Sequence, residues 1–143
     1  MAQSSRDIVE AVKIEGNQRI EADTVRSYML IGRGDPFDPG RIDRSLKSLY
    51  SSGLFADVSI RRVGNGLTVS VVENPVINRL VFEGNRKIDD ETLAAEVQLR
   101  PRVVYTRSRV QSDARRIVQV YQRSGRFAAT VEPKVIQQPS NRV

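Results

Sequence analysis

The sequence predicts an α+β protein built from one β-α-α-β-β unit used twice. Three observations carry that expectation. A helical pattern runs into a strand pattern at Gly53, across Leu49-Tyr50-Ser51-Ser52-Gly53-Leu54-Phe55-Ala56-Asp57-Val58-Ser59-Ile60. Asn65-Gly66 lies between two alternating runs, the strongest short-range hairpin signal. The helix-to-strand punctuation then returns as Tyr121, Gly125, Phe127 and Ala128. A repeat of this kind has to be recognised before a fold is assigned.

The first unit reads in order. Val9–Glu15 is a first strand with Val12 and Ile14 on one face, and Gly16-Asn17 a turn. Ile20–Leu30 is a short helix, with Val25, Tyr28 and Met29 at i, i+3, i+4. Gly32–Pro36 breaks it. Asp38-Pro39 opens the second helix, an N-cap acid followed by proline at the first position. Ile42, Leu46, Leu49 and Tyr50 share one face of that helix. Gly53 suits the left-handed residue that closes it. Beyond Gly53, Ala56, Val58 and Ile60 alternate with Asp57, Ser59 and Arg61, the period of a half-buried strand. That strand spans Ala56–Arg62, and its hairpin partner spans Leu67–Val72. Glu73-Asn74-Pro75 separates a first domain, 7–74, from a second, 75–143.

The second unit copies the first. Glu15-Gly16-Asn17 returns as Glu83-Gly84-Asn85, and Thr24-Val25 as Thr92-Leu93, a shift of 68. Asp38 maps to Ser108 and Asp43 to Asp113 at 70, Tyr50 to Tyr121 at 71, Gly53 to Gly125 at 72. The growing shift places insertions in the inter-helix loop and late in the second helix. Strands are expected over Ile77–Phe82 and Ala128–Val135. Asn65-Gly66-Leu67 corresponds to Asn141-Arg142-Val143, so the copy stops at the first residue of its last strand. Each buried backbone group left unpaired there costs about 1–3 kcal/mol. The expectation is that a strand exchanged with another chain completes this unit, or that its two strands close on each other.

Composition narrows the function. Hydrophobic residues make up 39% of the 143 residues, enough for modest cores. A unit of about 70 residues buries only ~60% of its unfolded surface. No apolar run approaches the ~18 residues of a membrane span. Met1–Arg6 lacks the apolar core of a signal peptide and reads as an appended start or a mature N-terminus. Cysteine and histidine are absent. That removes disulfides and thiolates, the commonest general base and the commonest zinc ligand. No enzyme activity, cofactor, metal or small-molecule substrate is expected. The net charge of +6 sits entirely in residues 75–143, with thirteen Lys/Arg against seven Asp/Glu. Arg102, Arg107, Arg109, Arg115, Arg116, Arg123 and Arg126 make a candidate basic surface for an acidic protein, an anionic lipid surface or nucleic acid.

Other motifs carry less. Arg33-Gly34-Asp35 spells an adhesion tripeptide but is explained as a loop between helices. Gly32 and Gly34 fit neither phosphate-binding fingerprint. Ser45, Lys47 and Ser48 are too close in a helix to face each other as a pair. The β-α-α-β-β order also suggests a KH-like nucleic-acid-binding module using the Arg100–Arg126 surface. Such a module clamps the backbone with Gly-x-x-Gly, and Arg100-Pro101-Arg102 offers no glycine.

Glu-Gly-Asn near the start, Gly34-Asp35-Pro36-Phe37-Asp38 and Leu49–Val58 together resemble POTRA domains. So do Glu73-Asn74-Pro75 and Phe82-Glu83-Gly84-Asn85. Over residues 7–143 the pattern is similar to the first two POTRA domains of the BamA outer-membrane assembly-factor family. The resemblance implies a three-stranded mixed sheet covered by two antiparallel helices, with the third strand in the middle. It implies a periplasmic location, as the soluble N-terminal part of an outer-membrane protein. It also implies partners: unfolded outer-membrane proteins, and periplasmic chaperones or assembly lipoproteins. Open sheet edges expose unpaired backbone groups, and an extended client can pair with them largely independently of its sequence. The expected client edges are Ala56, Asp57, Val58, Ser59, Ile60 and Arg61 in the first domain. In the second they are Ala128, Ala129, Thr130 and Val131.

Overall fold

The computed structural model describes residues 7–143, so the start segment Met1–Arg6 lies outside the described residues. The chain divides into two compact units, one ending at Asn74 and one beginning at Pro75.

The first unit contains β1 (Val12–Glu15), α1 (Ala22–Ser27), α2 (Pro39–Ser51), β2 (Phe55–Val63) and β3 (Gly66–Glu73). The sheet order is β1-β3-β2, with β3 parallel to β1 and antiparallel to β2. Asp38 caps α2, its Oδ1 accepting from the Gly40 N–H at 2.9 Å, and Pro39 takes the first helical position. Gly53 follows the helix with φ +74°. The core gathers Val9, Val25, Leu49, Phe55, Leu67 and Val69 between helices and sheet. The end of β3 is tied back to the turn before α1. Glu73 is only 5% exposed, and its carboxylate accepts main-chain N–H bonds from Gln18, Arg19 and Ile20.

Four local expectations need correction. The first strand does not begin at Val9. Val9 donates to the Asp35 carbonyl and accepts from the Gly34 N–H, both at 2.8 Å, so this segment pairs with the inter-helix loop instead. The first helix is shorter than Ile20–Leu30, because the Leu30 N–H turns to the Ser45 hydroxyl. In β2, Phe55 pairs with Glu73 and Asp57 with Val72, which leaves Ala56 as an extra residue. Such a bulge shifts the alternation, so Phe55 is buried and Ala56 exposed. The hairpin loop is Gly64-Asn65 and not Asn65-Gly66, since Val63 pairs with Gly66. Left-handed Gly64, φ +61°, supplies the conformation the turn demands at its first position.

The second unit contains α3 (Asp90–Glu96) and α4 (Arg107–Arg123). Leu93, Val97, Ile117 and Val120 form its core. The strands expected over Ile77–Phe82 and Ala128–Val135 do not form, and no strand is present among the described residues of this unit. Nor do those two segments close on each other. Asn141–Val143 lie beside the start of the unit. These residues run parallel to the start of the unit, with Val143 donating to the Val76 carbonyl and accepting from the Asn78 N–H. The pairing there stays at isolated bridges, Val76 with Val104 and Arg142, and Gln138 with Arg142.

The repeat is also more regular than the drifting shift suggests. Thr106, not Ser108, occupies the N-cap position of Asp38; its hydroxyl accepts from the Arg109 N–H. Arg102, with φ +73°, stands where Gly34 stands, each donating its N–H to the first segment of its unit. Asp113 matches Ser45, not Asp43. Ser45 Oγ accepts from Leu30 N at 2.8 Å; the Asp113 carboxylate accepts from both Gln98 and Leu99. The shift stays at 68 as far as Asp113 and nothing is inserted in the loop; it reaches 72 by Gly125, past the late part of the second helix. The extra length is one turn, since α4 has 17 residues and α2 has 13.

Two predictions follow from the first unit's packing. A Cβ on Gly16, φ +87°, would lie 2.1 Å from the Val71 carbonyl oxygen, whereas one on Gly53 would meet nothing within 4 Å. Gly53→Ala should cost about 1–2 kcal/mol of left-handed strain, and Gly16→Ala clearly more, in urea unfolding followed by circular dichroism. Equal costs would contradict the close approach of turn and strand. On the exposed face, Glu15 Oε1 accepts from Ser70 Oγ at 2.7 Å and Arg61 Nη2 at 3.2 Å. The Ser70 hydrogen bond first, then the Arg61 charge, hold the Glu15 carboxyl below its ordinary 4.5, against a desolvation that raises it. A depressed carboxylate stabilises the fold fully above its unfolded pKa, and that contribution fades as pH falls through the folded value. Ser70→Ala should therefore move the Glu15 titration upward, read by carboxyl NMR; an unmoved titration would contradict the pairing.

Candidate functional site

β2 is an edge of the first unit's sheet, and its register decides which backbone groups face outward. Neighbouring pairs in an antiparallel ladder alternate between hydrogen-bonded and open. Val63 and Gly66 close the hairpin, so Arg61, Ser59 and Asp57 turn their main-chain groups toward β3. Arg62, Ile60 and Val58 turn theirs away from the sheet. All six candidate residues, Ala56 to Arg61, thus lie on this edge strand, with Ala56 in the bulge.

Side chains occupy parts of that edge. Tyr50, in the last turn of α2, reaches Val58: its hydroxyl accepts from the Val58 N–H at 3.1 Å and lies 3.3 Å from the Val58 carbonyl oxygen. The hydroxyl donates to Asp57 Oδ1 at 2.8 Å, and the same oxygen accepts from the Val58 N–H at 3.0 Å. Arg61 lies across the exposed face, bonded to Glu15. Arg62 turns to the helix side, its guanidinium 3.8 Å from the Phe37 ring centroid and bonded to Asp7 and Asn65.

The opposite edge, β1, is shorter and also stoppered. Leu67 donates to the Ala11 carbonyl at 2.9 Å, so Val12 faces outward, and Arg26 Nε donates to the Val12 carbonyl at 3.0 Å. A groove of about 330 Å³ runs beside it, lined by Ala11, Val12, Met29 and Ile31.

In the second unit, Ala128, Ala129, Thr130 and Val131 lie in no strand. Phe127, the counterpart of Phe55, is 75% exposed where Phe55 is 3% exposed. The arginines are distributed around α4. Arg109, Arg116 and Arg123 recur every seven residues and form one stripe, while Arg115 sits about 100° around the helix from Arg116. Arg109 bonds the Val104 carbonyl, Arg116 bonds Asp113 at 2.6 Å, and Arg123 pairs with Glu96 at 3.3 Å. Arg115 bonds Ser112, and Arg126 bonds Ser124. Arg107 opens the helix and Arg102 lies in the loop before it.

No group of three or more acidic residues able to hold a metal occurs among the described residues. Among them, too, no helix is long and apolar enough to cross a membrane. Asp89, the N-cap of α3, has its carboxyl held below its ordinary 3.8 by the Thr92 side chain and N–H, a helix-capping role. Sequence reasoning missed Tyr50, Glu73 and the Ser45/Asp113 tether. Aligning the units on cap residues, Asp38 with Thr106, would have brought Ser45 and Asp113 into register.

Comparison with known proteins agrees with this architecture. The POTRA family, described as surface antigen variable number repeat, matches residues 8–74 and again 75–143. The outer membrane protein assembly factor BamA of Nitratidesulfovibrio vulgaris is 27% identical over 136 residues, 92% of this chain and 17% of that protein. BamA of Neisseria meningitidis is 25% identical over 138 residues, 94% of this chain and again 17% of the relative. The chain therefore spans about a sixth of the length of these relatives. Among solved structures, the N-terminal domain of Omp85 from Thermosynechococcus elongatus superposes with a TM-score of 0.65. It shares 18% identity, over 94% of this chain and 59% of that one. POTRA1-2 of the periplasmic domain of Omp85 from Anabaena gives 0.55 at 17% identity, over 94% and 90%. With its family pattern matched twice and its fold shared with solved relatives, the chain belongs to the POTRA family, as two tandem repeats.

Proposed function

We propose that this chain is a periplasmic, non-enzymatic binding module of an outer-membrane protein assembly machine. It receives unfolded β-barrel precursors as an added strand on β2 and gives partner proteins of the machine a surface to dock on. The observation that carries the reading is the open edge of β2, where Ile60 and Arg62 direct backbone N–H and C=O groups away from the sheet. Main-chain pairing supplies affinity without demanding one sequence, as a factor serving many clients requires. The assembly role of the BamA relatives supports the choice of client. The arginines of α4 support it less, because Arg116 and Arg123 are engaged within their own unit.

Two unrelated synthetic peptides, each copying a transmembrane strand of a β-barrel protein, provide the test. Added to the 15N-labelled chain, both should shift the amides of Ile60 to Val63. A peptide with proline at alternate positions, which cannot complete the ladder, should not. Shifts confined to α4 or to one peptide sequence would contradict the proposal.

A further inference from the structure

β2 offers three outward-facing residues in succession, Val58, Ile60 and Arg62, and the structure treats them unequally. The Val58 N–H and C=O are met by the Tyr50 hydroxyl at 3.1 and 3.3 Å. Asp57 Oδ1 accepts from that hydroxyl at 2.8 Å and so fixes its position. Two residues earlier, the Ala56 bulge interrupts the ladder. A bulge bends its strand and raises the local twist. Stopper and bulge thus fall at the same end of the strand, the end nearest α2.

Resting on the strand-addition reading above, we infer that Tyr50 limits client pairing to the hairpin half of β2. An incoming strand hydrogen-bonds with alternate residues of its partner. It can run along Arg62 and Ile60, but to continue it must displace the Tyr50 hydroxyl from Val58. The engaged client segment is therefore short, roughly three to five residues at the two-residue repeat of a strand. A ladder that short holds an extended chain weakly and releases it readily. The stopper also blunts the edge against indiscriminate sheet extension, which native edge strands guard against by several devices. Tyr50 is a positioning residue in this account. It sets where the added strand ends and contacts no client side chain.

Tyr50→Phe tests the inference, since it deletes the hydroxyl and keeps the ring. The 15N-labelled chain and this variant are each titrated with the same β-barrel strand peptide. In the parent chain the amide shifts should cover Ile60 to Val63 and leave Val58 nearly unmoved. In the variant they should extend to Val58, and the peptide should bind about tenfold tighter, as expected for one or two added main-chain hydrogen bonds. Without peptide, the Val58 amide of the variant should exchange with solvent faster, while Ser59, bonded to β3, is unchanged. Equal shifts at Val58 and Ile60 in the parent chain would overturn the inference while leaving strand addition intact. So would an unaltered footprint and affinity in the variant. If no β2 amide moves in either protein, strand addition itself is overturned, and the limit on it with it.

Discussion

Everything in the first unit depends on β3. It pairs with β1 on one side and β2 on the other. Its Leu67, Val69 and Val71 are buried in the core beneath the helices. Its last residue, Glu73, gathers three N–H groups of the turn before α1. Among the described residues neither β1 nor β2 has another sheet partner, so both strands exist through β3. The chain carries its own control. The second unit repeats the helices, with their N-caps and the loop tether at a shift of 68, yet forms no strand among its described residues. Helices satisfy their backbone within one segment, whereas a strand needs a neighbour. The consequence shows in single residues: Phe55 packs beneath the sheet, while Phe127 is largely exposed.

The same constraint places the candidate site. With β3 in the middle, β2 is necessarily an edge, and the hairpin closed by Val63 and Gly66 fixes which of its residues face outward. Helix α2 then supplies Tyr50 at one end of that row, and Arg62 covers Phe37 at the other. On the exposed face Glu15, Ser70 and Arg61 join all three strands in one polar row.

Much of this was legible in the sequence because it is written in local chemistry. Asp38-Pro39 and Gly53 mark the two ends of α2, and the apolar residues between them mark its buried face. The family pattern was legible for the same reason, since its repeated residues are turns and caps. What was hidden depends on contacts distant in sequence. The bulge at Ala56 arises from pairing with β3, so strict alternation put Ala56 and not Phe55 on the core face. The missing half of the first strand is diverted to the loop at Gly34–Asp35. Tyr50 read as one more residue of an apolar helix face, because nothing local reveals that its hydroxyl meets Val58 and Asp57. Ser45 and Asp113 differ in type, and identity-based alignment cannot match a hydroxyl to a carboxylate that does the same work.

Amide hydrogen exchange on this chain tests most directly whether the middle strand creates the edge, because it reports which backbone N–H groups are held. Exchange should be slow at Ser59 and Arg61, which bond to β3, and faster at Ile60 and Arg62, which face outward. In the second unit the amides of residues 128–132, 134 and 135 should all exchange fast, Pro133 having no N–H. Protection across 128–135 as strong as at Ser59 and Arg61 would contradict this, since a ladder would then stand in a unit that shows no strand among its described residues.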